Sequence, residues 1–384
     1  MSEFIQKNDN RASIRLKLLT GASALTLTAY VSSVAVAKAD DAGRPQIWIE
    51  LGGQLSVLQN SQGDFSPPLM DGRPSIFEPS QKFEMPSRSS IDEYGELSFQ
   101  PDDSDWVFSA SVRYGRSKSD KHNLQQTNPL PINFSLFPGY VQTSNPLAQK
   151  FAETEARNGE QHTILDFQAG KDIGLGLFGS RDSSSLISVG VRFAQFQSSS
   201  NFALKSDPDW HFSPKYFSVP PSHPTVEIMR QAFHSNLASM TAQRSFHGIG
   251  PSVSWKSSIG LMGNLQGGEI SADWGIAGAL LFGRQRAHTH HQATGNYHYV
   301  KLGANSGSIT YQPLPVDKTR SRTVTVPNIG GSVGLSWQLQ NFKISAGYRA
   351  DLFFHAMDGG IDTRKEENVG FYGPFATISI GLGG

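Results

Sequence analysis

The sequence predicts an all-β protein: an antiparallel transmembrane β-barrel of about ten strands, with long extracellular loops that contain one or two short helices. Three observations predict it. Segments of period-two alternation recur along the chain, the gaps between them alternate between long and short, and the average residue is too polar for membrane helices. Hydrophobic residues are 38% of the 384, and mean hydropathy is −0.34. A helical bundle would need several apolar runs of about 20 residues. Barrel strands hide their apolar residues in alternation, so their average stays polar. Lys+Arg and Asp+Glu are 33 each, which leaves no basic excess to attract nucleic acid. Cysteine is absent, which excludes disulfide scaffolds, thiolate zinc, Fe–S clusters and cysteine nucleophiles.

The first segment reads as an address. Arg11, Arg15 and Lys17 precede an apolar or small-residue run from Leu18 to Val36, and Ala35-Val36-Ala37 and Ala37-Lys38-Ala39 are both A-x-A sites. This is the pattern of a secretory signal peptide over 1–39, ahead of a barrel over 40–384. The competing reading, an uncleaved anchor, is opposed by the Ser and Thr within the run and by the well-formed cleavage site. Cleavage after Ala39 leaves 28 basic and 31 acidic residues. An export signal with no second apolar span leaves the periplasm, the outer membrane or the medium as destinations.

Ten alternating segments follow: 47–58, 91–100, 106–114, 162–172, 185–197, 246–258, 269–285, 329–339, 342–352 and 376–382. In the ninth, Phe342, Ile344, Ala346, Tyr348, Ala350 and Leu352 alternate with Lys343, Ser345, Gly347, Arg349 and Asp351. The gaps at 59–90, 117–161, 198–245 and 286–322 are long; those at 101–105, 173–184, 259–268 and 340–341 are short; 356–368 is intermediate. Short periplasmic turns and long external loops produce this alternation in a membrane barrel, and a soluble sandwich has no reason for it. Trp106, Trp255, Trp274 and Trp337 lie on the apolar face near short gaps, which predicts a periplasmic aromatic belt. The alternative is that they are core tryptophans of a sandwich.

The runs Ser188-Val189-Gly190-Val191-Arg192-Phe193-Ala194, Phe246-His247-Gly248-Ile249-Gly250-Pro251 and Gly278-Ala279-Leu280-Leu281-Phe282-Gly283 resemble the Legionella-type pore-forming major outer-membrane proteins. Gly334-Leu335-Ser336-Trp337 and Ala346-Gly347-Tyr348-Arg349 continue the resemblance, which covers roughly 160–384 and, more weakly, 45–115. It implies an outer-membrane barrel with a pore role in a Gram-negative envelope. The alternating final strand is similar to the assembly signal of such barrels, with Leu382 where they carry a terminal Phe. The expected partners are therefore outer-membrane lipid, lipopolysaccharide and the barrel assembly machinery.

With the apolar face toward lipid, the opposite face carries Glu50, Glu96, Arg113, Asp166, Arg192, Lys256, Asp273, Lys343, Arg349 and Asp351 as lumen-lining residues. A charge facing lipid at the midplane costs about 2–4 kcal/mol, which decides between the two faces. The ten charges line a narrow polar channel or form ion pairs that close a small barrel; ten strands sit near the closed end of the size range. Arg349 opposes the small-residue row Gly330, Ser332 and Gly334 and is expected to cross the interior toward Asp351, Asp273 or Asp166.

In the loop at 222–243, Val226, Met229, Phe233, Leu237 and Met240 share one helical face, which predicts a lid helix or a helix packed on neighbouring loops. A weaker helix is predicted at 146–156. His288, His290, His291 and His298 cluster in another loop, a spacing that suits a metal but is also common on polar surfaces. No acidic residue adjoins them in sequence, and no metal or cofactor is expected. No catalytic grouping stands out, so no enzymatic activity is expected. The predicted function is a porin-like channel for small polar solutes; the alternative is a non-conducting barrel that acts in surface binding, adhesion or envelope structure through its loops.

Overall fold

The computed structural model describes residues 47–59, 89–101, 104–118, 122–128, 149–173, 183–206, 230–264, 267–300, 306–312 and 314–382. The signal-peptide segment lies outside them. Twelve strands form one antiparallel sheet: β1 (Ile47–Gln59), β2 (Ser89–Phe99), β3 (Trp106–Lys118), β4 (His122–Asn128), β5 (Gln149–Asp172), β6 (Ser183–Ser206), β7 (Arg230–Asn264), β8 (Gly268–Val300), β9 (Ser306–Tyr311), β10 (Val316–Leu339), β11 (Phe342–Asp358) and β12 (Glu366–Leu382).

Ten of these strands close a ring. β12 pairs with β1 from Ile47↔Leu382 upward, and β8 pairs with β10 from Gln338↔Glu269 to Val316↔His291. The other two extend the wall: β4 continues the line of β3 along β5, and β9 continues that of β10 along β8. Closure leaves the ring without free edges, so the ladder satisfies the backbone polar groups that lipid cannot. At one end, β10 turns into β11 through Gln340 and Asn341 alone, with Gln340 at φ 52°.

The strands are longer than the alternation indicated. A tilted membrane strand needs about 9–11 residues; β7 has 35 and β8 has 33. Much of what the sequence suggested as external loop is therefore barrel wall. The described part of 222–243 belongs to β7, and that of 146–156 to β5, so both helix expectations are corrected; 222–229 and 146–148 lie outside the described residues. The cause is visible in β7. Leu237 is 57% exposed while Ala238, Met240 and Ala242 are buried, so Leu237 and Met240 lie on opposite faces of a strand. The helical spacing is a coincidence that pairing with β6 and β8 overrides.

Candidate functional site: the barrel interior

On the outside, strand alternation leaves an apolar band. Leu51, Leu97, Phe108, Phe167, Val189, Val253, Ile276, Leu335, Ile344 and Ile378 are all exposed. A water-soluble fold would not leave so many large apolar groups uncovered in one girdle. The intervening residues point inward; from the two-residue turn upward they form a charged level, an apolar layer and a vestibule, beyond which Phe202, Leu204 and Met240 belong to a second buried apolar cluster.

The lowest level, on the side of the two-residue turn, is charged. Lys256 Nζ donates to both oxygens of Glu96, at 2.8 and 2.9 Å. Arg192 forms a two-point pair with Asp166, at 2.7 and 2.9 Å, and also reaches Asn328. Arg113 Nη1 meets Asp351 at 2.5 Å, and Lys343 Nζ lies 2.8 Å from Asp273. Glu50 accepts a hydrogen bond from the Ser379 hydroxyl at 3.2 Å. Nine of the ten charges singled out in the sequence thus meet a partner inside the ring. Lys256–Glu96 and Arg113–Asp351 join strands remote in the ring and so span the interior, whereas Arg192–Asp166 and Glu50–Ser379 are ladder neighbours on adjacent strands and run along the wall.

Arg349 departs from expectation. Its guanidinium carbon stands 4.6 Å from the centre of the Tyr94 ring and 4.9 Å from that of Phe375, a cation–π sandwich in place of an ion pair. The space beside Gly330 is taken by Asp351 instead: a Cβ on Gly330 would lie 2.1 Å from Asp351 Oδ1. Alternation placed these residues on one face, but it carried no information about which side chains meet across the ring. Tyr94, Asn328 and Phe375 escaped sequence reasoning for that reason. Glu96, Arg113, Arg192, Lys256, Arg349 and Ser332 are among the residues lining a cavity of about 90 Å³ at this level, enough for a few waters.

Above it lies an apolar layer. Phe196, Phe246, Phe353 and Phe371 are at most 2% exposed and pack with Ile164, Leu281 and Val326. Phe353 meets Phe196 edge-on at 4.7 Å, and the His162 ring lies 3.9 Å from Phe371. His162 Nε2 is 3.2 Å from Asp92 Oδ2, and Asp92 also accepts from the hydroxyls of Ser56 and Ser90. Gly115 permits this crossing: a Cβ there would lie 2.2 Å from both Asp92 Oδ1 and His162 Cε1.

The third level is a wider vestibule of about 560 Å³, flanked by Ser117, Glu160, Ser198, Arg244 and Ala287. The segment between β11 and β12, expected as an intermediate loop, turns into this end of the barrel. It leaves the wall at His355 (φ 55°), where the β11–β12 register slips and Met357 enters the apolar layer. Arg320 holds it by donating to Asp358 (2.8 Å) and to the carbonyls of Ile361 (2.6 Å) and Gly360 (2.7 Å). Arg244 donates to the Gly359 carbonyl at 2.9 Å, and the Thr289 hydroxyl to that of Ile361 at 2.9 Å. Asp362 is 3.0 Å from His291 Nε2 and 3.3 Å from Lys318 Nζ, and the bond to His291 holds its carboxyl below the usual range.

The histidine cluster is divided by β8 rather than gathered in a loop. His288 and His290 lie within 3.7 Å of Asp317, whereas buried His291 meets Asp362 on the opposite face. His298 pairs with Phe233 in the ladder. Among the described residues no group of three or more His, Cys, Asp and Glu is arranged to hold a metal. The four tryptophans occupy two levels. Trp337 opposes Ile270 near the two-residue turn, while Trp274 opposes Val333, about 10 Å further along the tilted wall. Trp255 packs edge-on against Trp274 at 4.7 Å, and its indole N–H donates to Ser185 at 2.7 Å.

No curated protein matches this chain. Among solved structures, the transport unit of the autotransporter AIDA-I from Escherichia coli is 9% identical, over 94% of this chain and 98% of that one, with a TM-score of 0.27. The P. putida toluene transporter TodX is 11% identical, over 89% and 91%, with a TM-score of 0.23. Both likenesses are too distant to inform on this chain. The family model described as Legionella pneumophila major outer membrane protein precursor matches residues 103–381. That match takes in more than two thirds of the chain and all the strands from β3 to β12, and the chain belongs to this family of outer-membrane proteins.

Proposed function

We propose that the protein is a narrow, porin-like channel for small polar solutes, closed at mid-height in the conformation described. One observation carries the reading. A charged chamber with room for a few waters and a vestibule lie within the same ring, and an apolar layer separates them. Small inward residues such as Gly275, Ala277 and Ser332 keep the lower chamber open where larger ones would fill it. Passage then requires the phenylalanine layer to rearrange, with the inward-folded 359–365 segment setting access from the vestibule. The ten charges are the solute-facing groups, and their near balance favours small polar solutes over one sign of ion. Trp337, beside the two-residue turn, acts as an interfacial anchor on the periplasmic side. Residence in the outer membrane follows export and removal of 1–39, with lipid, lipopolysaccharide and the assembly machinery as partners.

Planar-bilayer recording on folded protein tests the reading. Discrete, small conductance steps are expected. Their absence from correctly folded protein favours the second reading, a non-conducting barrel that works through its external wall. The dry phenylalanine layer and the tethered segment are the observations on that side.

A further inference from the structure

We propose that the outward face of β7, β8 and β10, directly above the apolar band, binds the phosphorylated headgroup of a glycolipid in the outer leaflet. The proposal rests on the outer-membrane reading and on the long-strand end being external. On β8 the outward residues run Ile270, Ala272, Trp274, Ile276, Gly278, Leu280 and Phe282, and then change at once to Arg284, Arg286 and His288. Ile270 to Phe282 rises about 30 Å along a tilted strand, the thickness of a hydrocarbon core. Arg284 therefore stands where lipid headgroups begin.

The ladder fixes the neighbours of these cations. His247 opposes Arg284 and Ser245 opposes Arg286 on one side; Ser321 and Thr319 oppose Arg286 and His288 on the other. Arg284 Nε donates to the Ser321 hydroxyl at 2.6 Å, which holds its guanidinium over β10. Arg286 is exposed and has no ion pair among the described residues. Asp317 is the one described carboxylate against this patch, 3.6 Å from His288 Nδ1 and away from both arginines. Two arginine forks about 7 Å apart, flanked by hydroxyls and imidazoles, suit a phosphate ester.

The surface immediately below selects the source of that phosphate. Leu280, Phe282, Ile249 and Ile329 are 41–55% exposed and would lie against acyl chains. A soluble phosphate compound has no use for that surface. An amphiphile anchored in the leaflet meets both parts together.

The test is native mass spectrometry of the full-length, folded chain in mild detergent, titrated with bis-phosphorylated lipid A, with the same glycolipid lacking its phosphates, and with inorganic phosphate. The wild type is expected to prefer the phosphorylated lipid by about 30-fold, since each basic side chain near a membrane surface contributes about 5-fold. Arg284→Gln with Arg286→Gln should cut that preference to a few-fold, whereas Arg284→Lys with Arg286→Lys should keep most of it. Equal binding of the two lipids by the wild type, or an unchanged preference in the glutamine variant, overturns the site. Displacement by millimolar inorganic phosphate overturns the lipid as its occupant. If the glutamine variant does not fold, the wild-type contrast between the two lipids still decides. Cell fractionation separates the failures: a chain found outside the outer membrane refutes the location, and a correctly located chain without the preference refutes only the site.

Discussion

Within the apolar band and above it, the same strands wear opposite polarities. On the lower part of β6, Ile187, Val189 and Val191 face outward while Ser188 and Arg192 face the interior. Higher on that strand the outward residues become Gln195, Gln197 and Ser199, and the buried ones Ala194, Phe196, Phe202 and Leu204. β7 repeats the inversion: Ile249 and Val253 are exposed below, while Met240, Ala242 and Phe246 are buried above. The difference teaches what the wall responds to. Where lipid lies outside, apolar groups gain nothing by turning inward, and the interior can hold charges and water. Where water lies outside, burial of a Phe side chain contributes about 1.5–3 kcal/mol, so the interior becomes a core.

The comparison predicts that the largest single effect comes from the upper region. Phe371→Ala should destabilise the barrel by about 3–5 kcal/mol, because the ring is buried against His162, Phe196 and Phe353 and its loss leaves a cavity. Urea unfolding followed by heat-modifiable gel mobility measures it. A loss under about 1 kcal/mol would mean that this level is not a packed core. Ion preference should stay at the wild-type value in any conductance this variant gains.

Asp351→Asn should act differently in the band. It removes the partner of Arg113, and a dry pair would cost about 3–5 kcal/mol to break. The adjoining chamber admits a few waters, so about 2 kcal/mol is expected. Reversal potentials in a salt gradient should move toward anion preference. A cost equal to that of Phe371→Ala, with no change in preference, would erase the distinction between the two levels.

This contrast also explains what was legible in the sequence. The band was readable because lipid outside and water inside impose two different residue classes at period two. Phe342 to Leu352 shows it cleanly, and the closed ten-strand ring and the interior charges follow from that pattern. Above the band the alternation persists with its sense reversed and with small residues such as Ser198, Ser200, Ala238 and Ala242 inside, so the contrast between faces is weak. Leu237 and Met240 then passed for one helical face. The segment at 359–365 offered no periodic signal at all, because its position is set by Arg320, Arg244 and Thr289, which are remote in sequence.

Smaller effects should come from that tethered segment. Arg320→Gln removes three donated bonds and should cost about 1–2 kcal/mol, while openings in bilayer recordings become more frequent. An opening frequency equal to wild type would show that the segment does not control access. The smallest effect is that of pH on Asp362. Its carboxyl is held below its ordinary 3.8, so its contribution is complete above that value and is lost as pH falls through the lowered one. A fluorophore at Arg364→Cys should report a contribution from Asp362 that is present above 3.8 and is lost only as the pH falls through the lowered value. An Asp362→Asn variant with the same low-pH transition would remove Asp362 as its cause.

The phenylalanine layer divides the interior at mid-height. The chain has no cysteine, so single thiols can be read without background. Ser198→Cys places one beside the vestibule and Ser254→Cys places one in the charged chamber below the layer. A membrane-impermeant thiol reagent added to intact cells should label the first at least about tenfold faster than the second, and the same Ser254→Cys thiol should become accessible when Phe371→Ala is added. Equal labelling of both sites in the otherwise wild-type barrel would show that the layer does not divide the interior.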